Sequence, residues 1–201
     1  MKEDKKAFEV IDKEPIYRGF FNLSRIRLRY TLFRGGWSEC LERELFHRDR
    51  SVAVIPYDPA ADQVVLIEQF RVGAMYADED PWLLEIVAGA LDVGEVPEDA
   101  AYREASEETG CEIQELIPIA EFFSTPGGCS EKITLFCGII DSRCLGGVHG
   151  IGEEFEDILT HVVSFEQAMD WLGQGRIGAA IPIIGLQWLA LNRDRLRVAR
   201  G

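Results

Sequence analysis

Residues 97–110 have few options other than a helix, and that helix sets the terms for the rest of the chain. Pro97 has the fixed φ that suits a first helical turn, and Glu98 and Asp99 lie where the dipole favours acids. Gly110 supplies the left-handed residue that closes a helix. At about 100° per residue, Glu104, Glu107 and Glu108 fall within roughly a 100° arc of one face. Ala101 and Ala105 lie beside that arc and are small enough to let a helix approach a sheet closely. The three carboxylates repel one another, and Arg103 offsets this only in part, through an i,i+4 contact with Glu107. Taken alone, the pattern fits two outcomes. One is a solvated acidic face; the other is a hard cation held by oxygen ligands, with no His or Cys on that face to favour Zn²⁺ over Mg²⁺ or Mn²⁺.

Charge placement sharpens the second outcome. The chain carries 35 Asp+Glu against 21 Lys+Arg, a formal net charge of −14 over 201 residues. Between Tyr76 and Glu121 fourteen acids face a single base, Arg103, whereas from Arg18 to Arg50 eight arginines face four acids. An acidic chain of this kind is ill suited to bind nucleic acid or an anionic membrane surface. Its length and 47% hydrophobic content suit one domain with a small appendage, and 28% charged and 10% aromatic residues argue against disorder. The charged start, Met1-Lys-Glu-Asp-Lys-Lys, has no apolar stretch behind it and predicts no secretory signal. The most membrane-like run, Ile177 to Leu191, has 15 residues interrupted by Pro182 and Gln187. That is short of the roughly 20 a span needs, so a buried C-terminal helix is expected. Five cysteines without CxxC spacing read as reduced thiols of a cytoplasmic protein, and the scattered His47, His149 and His161 as structural residues.

Strand signals fill the first seventy residues. Ile26, Leu28, Tyr30 and Leu32 alternate with Arg25, Arg27, Arg29 and Thr31, which predicts a half-buried strand with solvated arginines. Arg34-Gly35-Gly36 predicts a turn into a second strand from Trp37 to Phe46. Ser51–Tyr57 and Val64–Phe70 form a hairpin about Asp58–Asp62, and Lys132–Ile140 is a further strand. Helices are expected at Glu98–Thr109, Phe165–Leu172 and Pro182–Leu196, giving an α+β class with a mixed sheet.

The spacing Gly89, Glu95, Arg103-Glu104, Glu107-Glu108, Gly110 resembles the Nudix box of the Nudix hydrolase superfamily, with Ala105 and Cys111 in the aliphatic places. Cys111 is a mild departure there. Beyond the box, Tyr17-Arg-Gly-Phe-Phe, Val65-Leu-Ile-Glu-Gln-Phe-Arg71, Pro81-Trp-Leu-Leu-Glu-Ile-Val-Ala-Gly89, Ser124-Thr-Pro-Gly-Gly128, Val148-His-Gly-Ile and Gly185-Leu-Gln-Trp-Leu189 are similar to the ADP-ribose pyrophosphatase branch. Pro126, 15 residues after Cys111, agrees with that branch. Ile86-Val87-Ala88-Gly89 departs from its frequent Leu-Pro-Ala-Gly and sets the backbone less rigidly.

The resemblance implies a Nudix α/β/α sandwich with a mixed sheet (residues 49–201). It also implies an N-terminal antiparallel β subdomain (residues 1–48) exchanged across a homodimer. It implies Mg²⁺-dependent cleavage of ADP-ribose to AMP and ribose 5-phosphate by water attack on the diphosphate, with Mn²⁺ as a substitute. The alternatives are another nucleoside diphosphate sugar, such as GDP-mannose or ADP-glucose, or a non-catalytic nucleotide sensor, which typically lacks box carboxylates that are all present here. Residue by residue, it implies Glu104, Glu108 and the Ala88 carbonyl as metal ligands, with Glu107 as a direct or water-mediated one. Gly89, Glu95, Arg103 and Gly110 brace the motif. Glu154 aligns with the catalytic base, with Glu153 and Glu156 as alternatives, in a Gly-rich acidic segment that reads either as a lid or as a solvated loop. Arg71 matches a phosphate contact and Arg43 a residue near the adenine. Phe20 is a stacking surface for the base or a core residue, and Glu131 helps place metal or water.

Overall fold

The computed structural model describes residues 6–143, 145–152 and 156–198. Cys144, Glu153 and Glu154 therefore lie outside the described residues. The chain divides into two compact units, one of residues 1–50 and 123–132, the other of residues 51–122 and 133–201.

The first unit is a three-stranded antiparallel sheet of β1 (Phe8–Arg18), β2 (Asn22–Tyr30) and β3 (Leu41–His47), with β2 in the centre. The alternating arginines of β2 are not simply solvated. Arg25 pairs with Glu14 and Glu42, both at 3.2 Å, and Arg29 with Glu9 at 2.6 Å, so each reaches an acid on a neighbouring strand. β1 has no clean alternation and carries Pro15, which an edge strand tolerates; its register shifts between Val10 and Asp12 and between Pro15 and Tyr17. The strand expected from Trp37 starts only at Leu41. Gly35 and Gly36 hold φ of 87° and 79°, and Ser38 exchanges hydrogen bonds with the Tyr30 backbone, so the turn consumes residues 34–40. Residues 123–132 are stitched to β3 by a parallel bridge from Phe46 to Cys129 and by Ser130, which bonds the Arg48 backbone through its side chain in both directions.

The second unit has a mixed eight-stranded sheet. Its elements in chain order are β4 (Ser51–Asp58), β5 (Gln63–Phe70), α1 (Val72–Tyr76), β6 (Trp82–Glu85), β7 (Val87–Ala90), α2 (Pro97–Thr109), β8 (Glu115–Phe123), β9 (Lys132–Ile139), β10 (Gly147–His149), β11 (Ile158–Ser164), α3 (Phe165–Gly173) and α4 (Ala180–Val198). The strand order is β10-β11-β5-β4-β9-β8, with β6 paired to β5 and β7 to β4. β4 runs parallel to β9 and antiparallel to β5 and β7. Every residue of β4 is buried because both faces of the sheet are covered. Val52 and Val54 face the core beneath α2, with Ala100, Ala101 and Ala105. Ala53, Ile55 and Tyr57 face the larger core beneath α3 and α4, with Leu186 and Leu189. This is an α/β/α sandwich of class α+β.

Two polar knots tie the sheet's far end. Buried Asp58 accepts the Ala60 and Ala61 N–H groups and both the N–H and the hydroxyl of Ser142; burial pushes its carboxyl up, but these bonds outweigh it and hold it low. Asp62 accepts the Tyr57 hydroxyl at 2.7 Å and the Arg193 guanidinium, clamping α4 to the β4–β5 turn. The apolar run from Ile177 is spent on this packing, and no described helix is long and apolar enough to cross a membrane.

Candidate active site

The site is assembled where β7 hands the chain to α2. α2 begins at Pro97 after an extended Val96 and ends at Gly110, whose φ of 68° is a left-handed cap accessible to glycine; its N–H bonds the Ser106 carbonyl. Between β7 and α2, Glu95 accepts the Asp92 N–H at 2.9 Å and the Arg103 guanidinium through both oxygens, each at 3.0 Å. Arg103 also reaches the Ala90 carbonyl, Glu104 at 2.8 Å and Glu107 at 3.0 Å. One guanidinium therefore spans loop, strand and helix, and four carboxylate oxygens hold its charge strongly.

Gly89 is where strand and helix meet. A Cβ there would stand 1.8 Å from Glu104 Oε1 and 2.1 Å from its carboxyl carbon, so the absence of a side chain is what seats that carboxylate against β7. Glu108, one turn on, is 3% exposed and accepts the Ala88 N–H at 3.0 Å. Burial pushes its carboxyl up to about 8. The charges of Glu104 and Glu156 add to this, while the Ala88 N–H and the Arg71 charge oppose it. Glu104 is raised as well, chiefly by burial and by the Glu107 and Glu156 charges, against Arg103. Glu156 thus acts on both helix carboxylates, and its own Oε2 accepts the Ile151 N–H at 3.3 Å. Glu107 instead points its carboxylate to Arg103, and its carbonyl accepts the Gly150 N–H, tying α2 to the segment after β10.

Arg71 stands at the end of β5 and bonds Glu85 Oε2 through Nε at 2.9 Å and Nη2 at 2.8 Å. In the first unit, Glu131 pairs with Arg48 at 3.1 Å, and Arg48 lies over the Phe21 ring. Phe20 is 93% exposed, so it is not a core residue; its ring meets Phe21 edge-on. Arg43 donates to the Glu42 carbonyl. Of the sequence-chosen residues, Ala88, Gly89, Glu95, Arg103, Glu104, Glu107, Glu108, Gly110 and Arg71 belong to the second unit, while Phe20, Arg43 and Glu131 belong to the first. Glu85 and Arg48 were not singled out. The signal for Glu85 was present, since one carboxylate interrupts the apolar run Trp82-Leu83-Leu84-Glu85-Ile86-Val87.

The donor set fits a hard divalent cation. The clustered side-chain groups are all oxygen donors, two of the carboxylates are held where their charge is costly, and an Arg103 N–H already neutralises part of Glu104. Among the described residues no three His, Cys, Asp or Glu side chains are grouped so that they could hold a metal ion by themselves.

A mixed sheet sandwiched by helices, with this carboxylate helix seated on a glycine, is the architecture of a Nudix domain. Residues 47–180 match the NUDIX domain family, and the chain belongs to it. It is 45% identical over 193 residues to the ADP-ribose pyrophosphatase of Escherichia coli strain K12, covering 96% of this chain and 92% of that protein. The ADP-ribose pyrophosphatase of Haemophilus influenzae is 46% identical over 192 residues, covering 94% and 88%. The GDP-mannose pyrophosphatase of Cronobacter sakazakii is 36% identical over 185 residues, covering 92% and 95%. A solved structure described as an ADP compounds hydrolase superposes with a TM-score of 0.71 at 21% identity over 94% of this chain and 96% of that one, which supports the fold.

Proposed function

We propose that this protein is a Mg²⁺-dependent diphosphatase that hydrolyses ADP-ribose to AMP and ribose 5-phosphate, with Mn²⁺ as a substitute metal. The observation that carries the reading is Glu108, a buried carboxylate beside Glu104 and within the field of Glu156, on a chain 45% identical to an ADP-ribose pyrophosphatase. A diphosphate resists attack because its own charge repels nucleophiles. A divalent ion held there would supply charge neutralisation at the phosphate oxygens and a more acidic water. Glu104, Glu108 and the Ala88 carbonyl would hold it, with Glu107 completing the shell directly or through water.

The protein's own part is orientation and proton transfer. Arg71 binds the diphosphate, Arg43 and Phe20 the adenine side, and Glu131 helps place metal or water. A carboxylate of the 153–156 segment takes the proton of the attacking water. The water oxygen bonds to the adenosyl phosphorus, and the bridging oxygen leaves with ribose 5-phosphate. Glu154 is the assigned base: Glu154→Gln should lower kcat by orders of magnitude, and a rate within a few-fold of wild type would move the role to Glu153 or Glu156. The protein acts as a cytoplasmic homodimer through its N-terminal strands. β1 is exposed along its whole length, with Phe8 77% and Tyr17 60% exposed, a surface that suits a second copy.

The 36% identity to a GDP-mannose pyrophosphatase favours one second reading, a diphosphatase for that class of sugar. Product analysis over a panel of ADP-ribose, ADP-glucose and GDP-mannose, with and without Mg²⁺, decides between them. AMP released fastest from ADP-ribose supports the proposal, GMP from GDP-mannose the alternative, and tight nucleotide binding without product a sensor.

A further inference from the structure

Arg71 has a partner that the Nudix box does not contain. β6 pairs antiparallel with β5 so that Glu85 lies opposite Ile67 and Leu83 opposite Gln69. With side chains alternating along a strand, Gln69, Arg71 and Glu85 share the face on which Val65 packs beneath α2. The Arg71 backbone is pinned by its N–H to the Pro81 carbonyl at 2.7 Å. Glu85 Oε2 accepts Nε and Nη2 of Arg71 and, at 3.2 Å, the amide of buried Gln69.

This geometry uses one edge of the guanidinium fork. Of the five N–H donors of an arginine, two go to Glu85, and among the described residues the other three have no hydrogen-bond acceptor. The free edge suits a planar anion such as a phosphate oxygen pair. The Glu85 side chain is 16% exposed and the Arg71 side chain 43%, so the anchor is sheltered while the fork opens to solvent.

We propose that Glu85 is a positioning residue: it anchors one edge of the Arg71 guanidinium and presents its free edge to the substrate diphosphate. The proposal rests on the diphosphatase reading for the identity of that anion. Because Glu85 acts through Arg71, its removal should matter only while Arg71 is present.

The test is a double-mutant cycle of Glu85→Gln and Arg71→Ala. It is read as kcat/KM for ADP-ribose with Mg²⁺ and as Kd for its non-hydrolysable α,β-methylene analogue. Glu85→Gln alone should cost about tenfold in both, the scale of a contact displaced by less than about 1 Å. In the Arg71→Ala background the same change should cost under about twofold. A tenfold loss that persists without Arg71, or no loss in its presence, overturns the proposal. If Glu85→Gln fails to fold, Glu85→Asp, which keeps the charge and withdraws it by one methylene, runs the same cycle with the same criteria. Wild-type protein that binds the analogue but releases no AMP refutes the diphosphatase reading and leaves the cycle readable through Kd. Protein that binds neither the analogue nor pyrophosphate overturns both.

Discussion

Replacing Gly89 by alanine should separate folding from catalysis. Gly89 adopts no left-handed φ, so its backbone accepts an alanine, and the loss of glycine's freedom in the unfolded chain favours the folded state by about 0.4–1 kcal/mol. The added Cβ, however, would sit 1.8 Å from Glu104 Oε1, where ordinary contact needs 3.4 Å or more. The carboxylate must therefore withdraw by at least about 1.6 Å, the difference of those two distances, and rotate away from β7. The colliding atoms are the far end of a flexible side chain, so Tm should move by only a few degrees. A displacement of about 1 Å costs roughly 100-fold in a positioned reaction. The expected loss in kcat/KM is thus about 10²–10³, or roughly 3–4 kcal/mol of barrier. The assay is steady-state AMP release from ADP-ribose over a Mg²⁺ titration, with Gly173→Ala, where a Cβ meets nothing within 4 Å, as the control. Activity within threefold of wild type in Gly89→Ala would show that the Glu104 carboxylate is not needed at that position, and the metal assignment would fall with it.

Three further outcomes are expected. In EDTA, folded Glu108 keeps its proton up to about 8 while the unfolded chain releases it near 4.5, so the folded state binds more protons between those values and stability falls as pH rises through them. Asp58, Asp62 and Glu95, held below their ordinary range, add stability present above about 4 and lost below it. Melting curves from pH 3 to 9 should lose the alkaline slope, but not the acid one, in Glu108→Gln; equal alkaline slopes in both proteins would contradict the burial argument. Asp58→Ala strands three backbone N–H groups, while the Ser142 hydroxyl keeps its bond to Gln63, and should cost about 3 kcal/mol in urea unfolding; a loss under about 1 kcal/mol would mean that water replaces the carboxylate. Sedimentation should give a species of twice 22.6 kDa, and Phe8→Glu should shift it towards the monomer; a wild-type monomer would remove the proposed role of β1.

Local chemistry made much of this protein legible in its sequence. Pro97 and Gly110 bracket α2 by their backbone preferences alone, and the observed helix, Pro97–Thr109, differs from the expected one by a single residue. The hairpin about Asp58–Asp62 and the helices from Phe165 and near Pro182 were readable for the same reason. β1 was not: its residues alternate poorly, and pairing with β2 rather than intrinsic pattern makes it a strand. α1, β6, β7, β10 and β11 are short or draw their identity from neighbours, and the extent of the turn after Tyr30 depended on hydrogen bonds from Ser38.

The division within the site follows the range of the forces involved. Spacing along one helix determined which carboxylates share a face, because helical geometry is local; the clustering of acids alone fits a solvated face as well as a cation site. Only tertiary structure decided how each carboxylate differs. Glu107 is spent on Arg103, Glu104 is seated in the gap left by Gly89, and Glu108 is buried until its proton is held to about 8. Only tertiary structure joined Glu85 to Arg71, fourteen residues apart in the chain. Burial and long-range charge depend on what the rest of the fold brings near, and no spacing rule within a single segment carries that information.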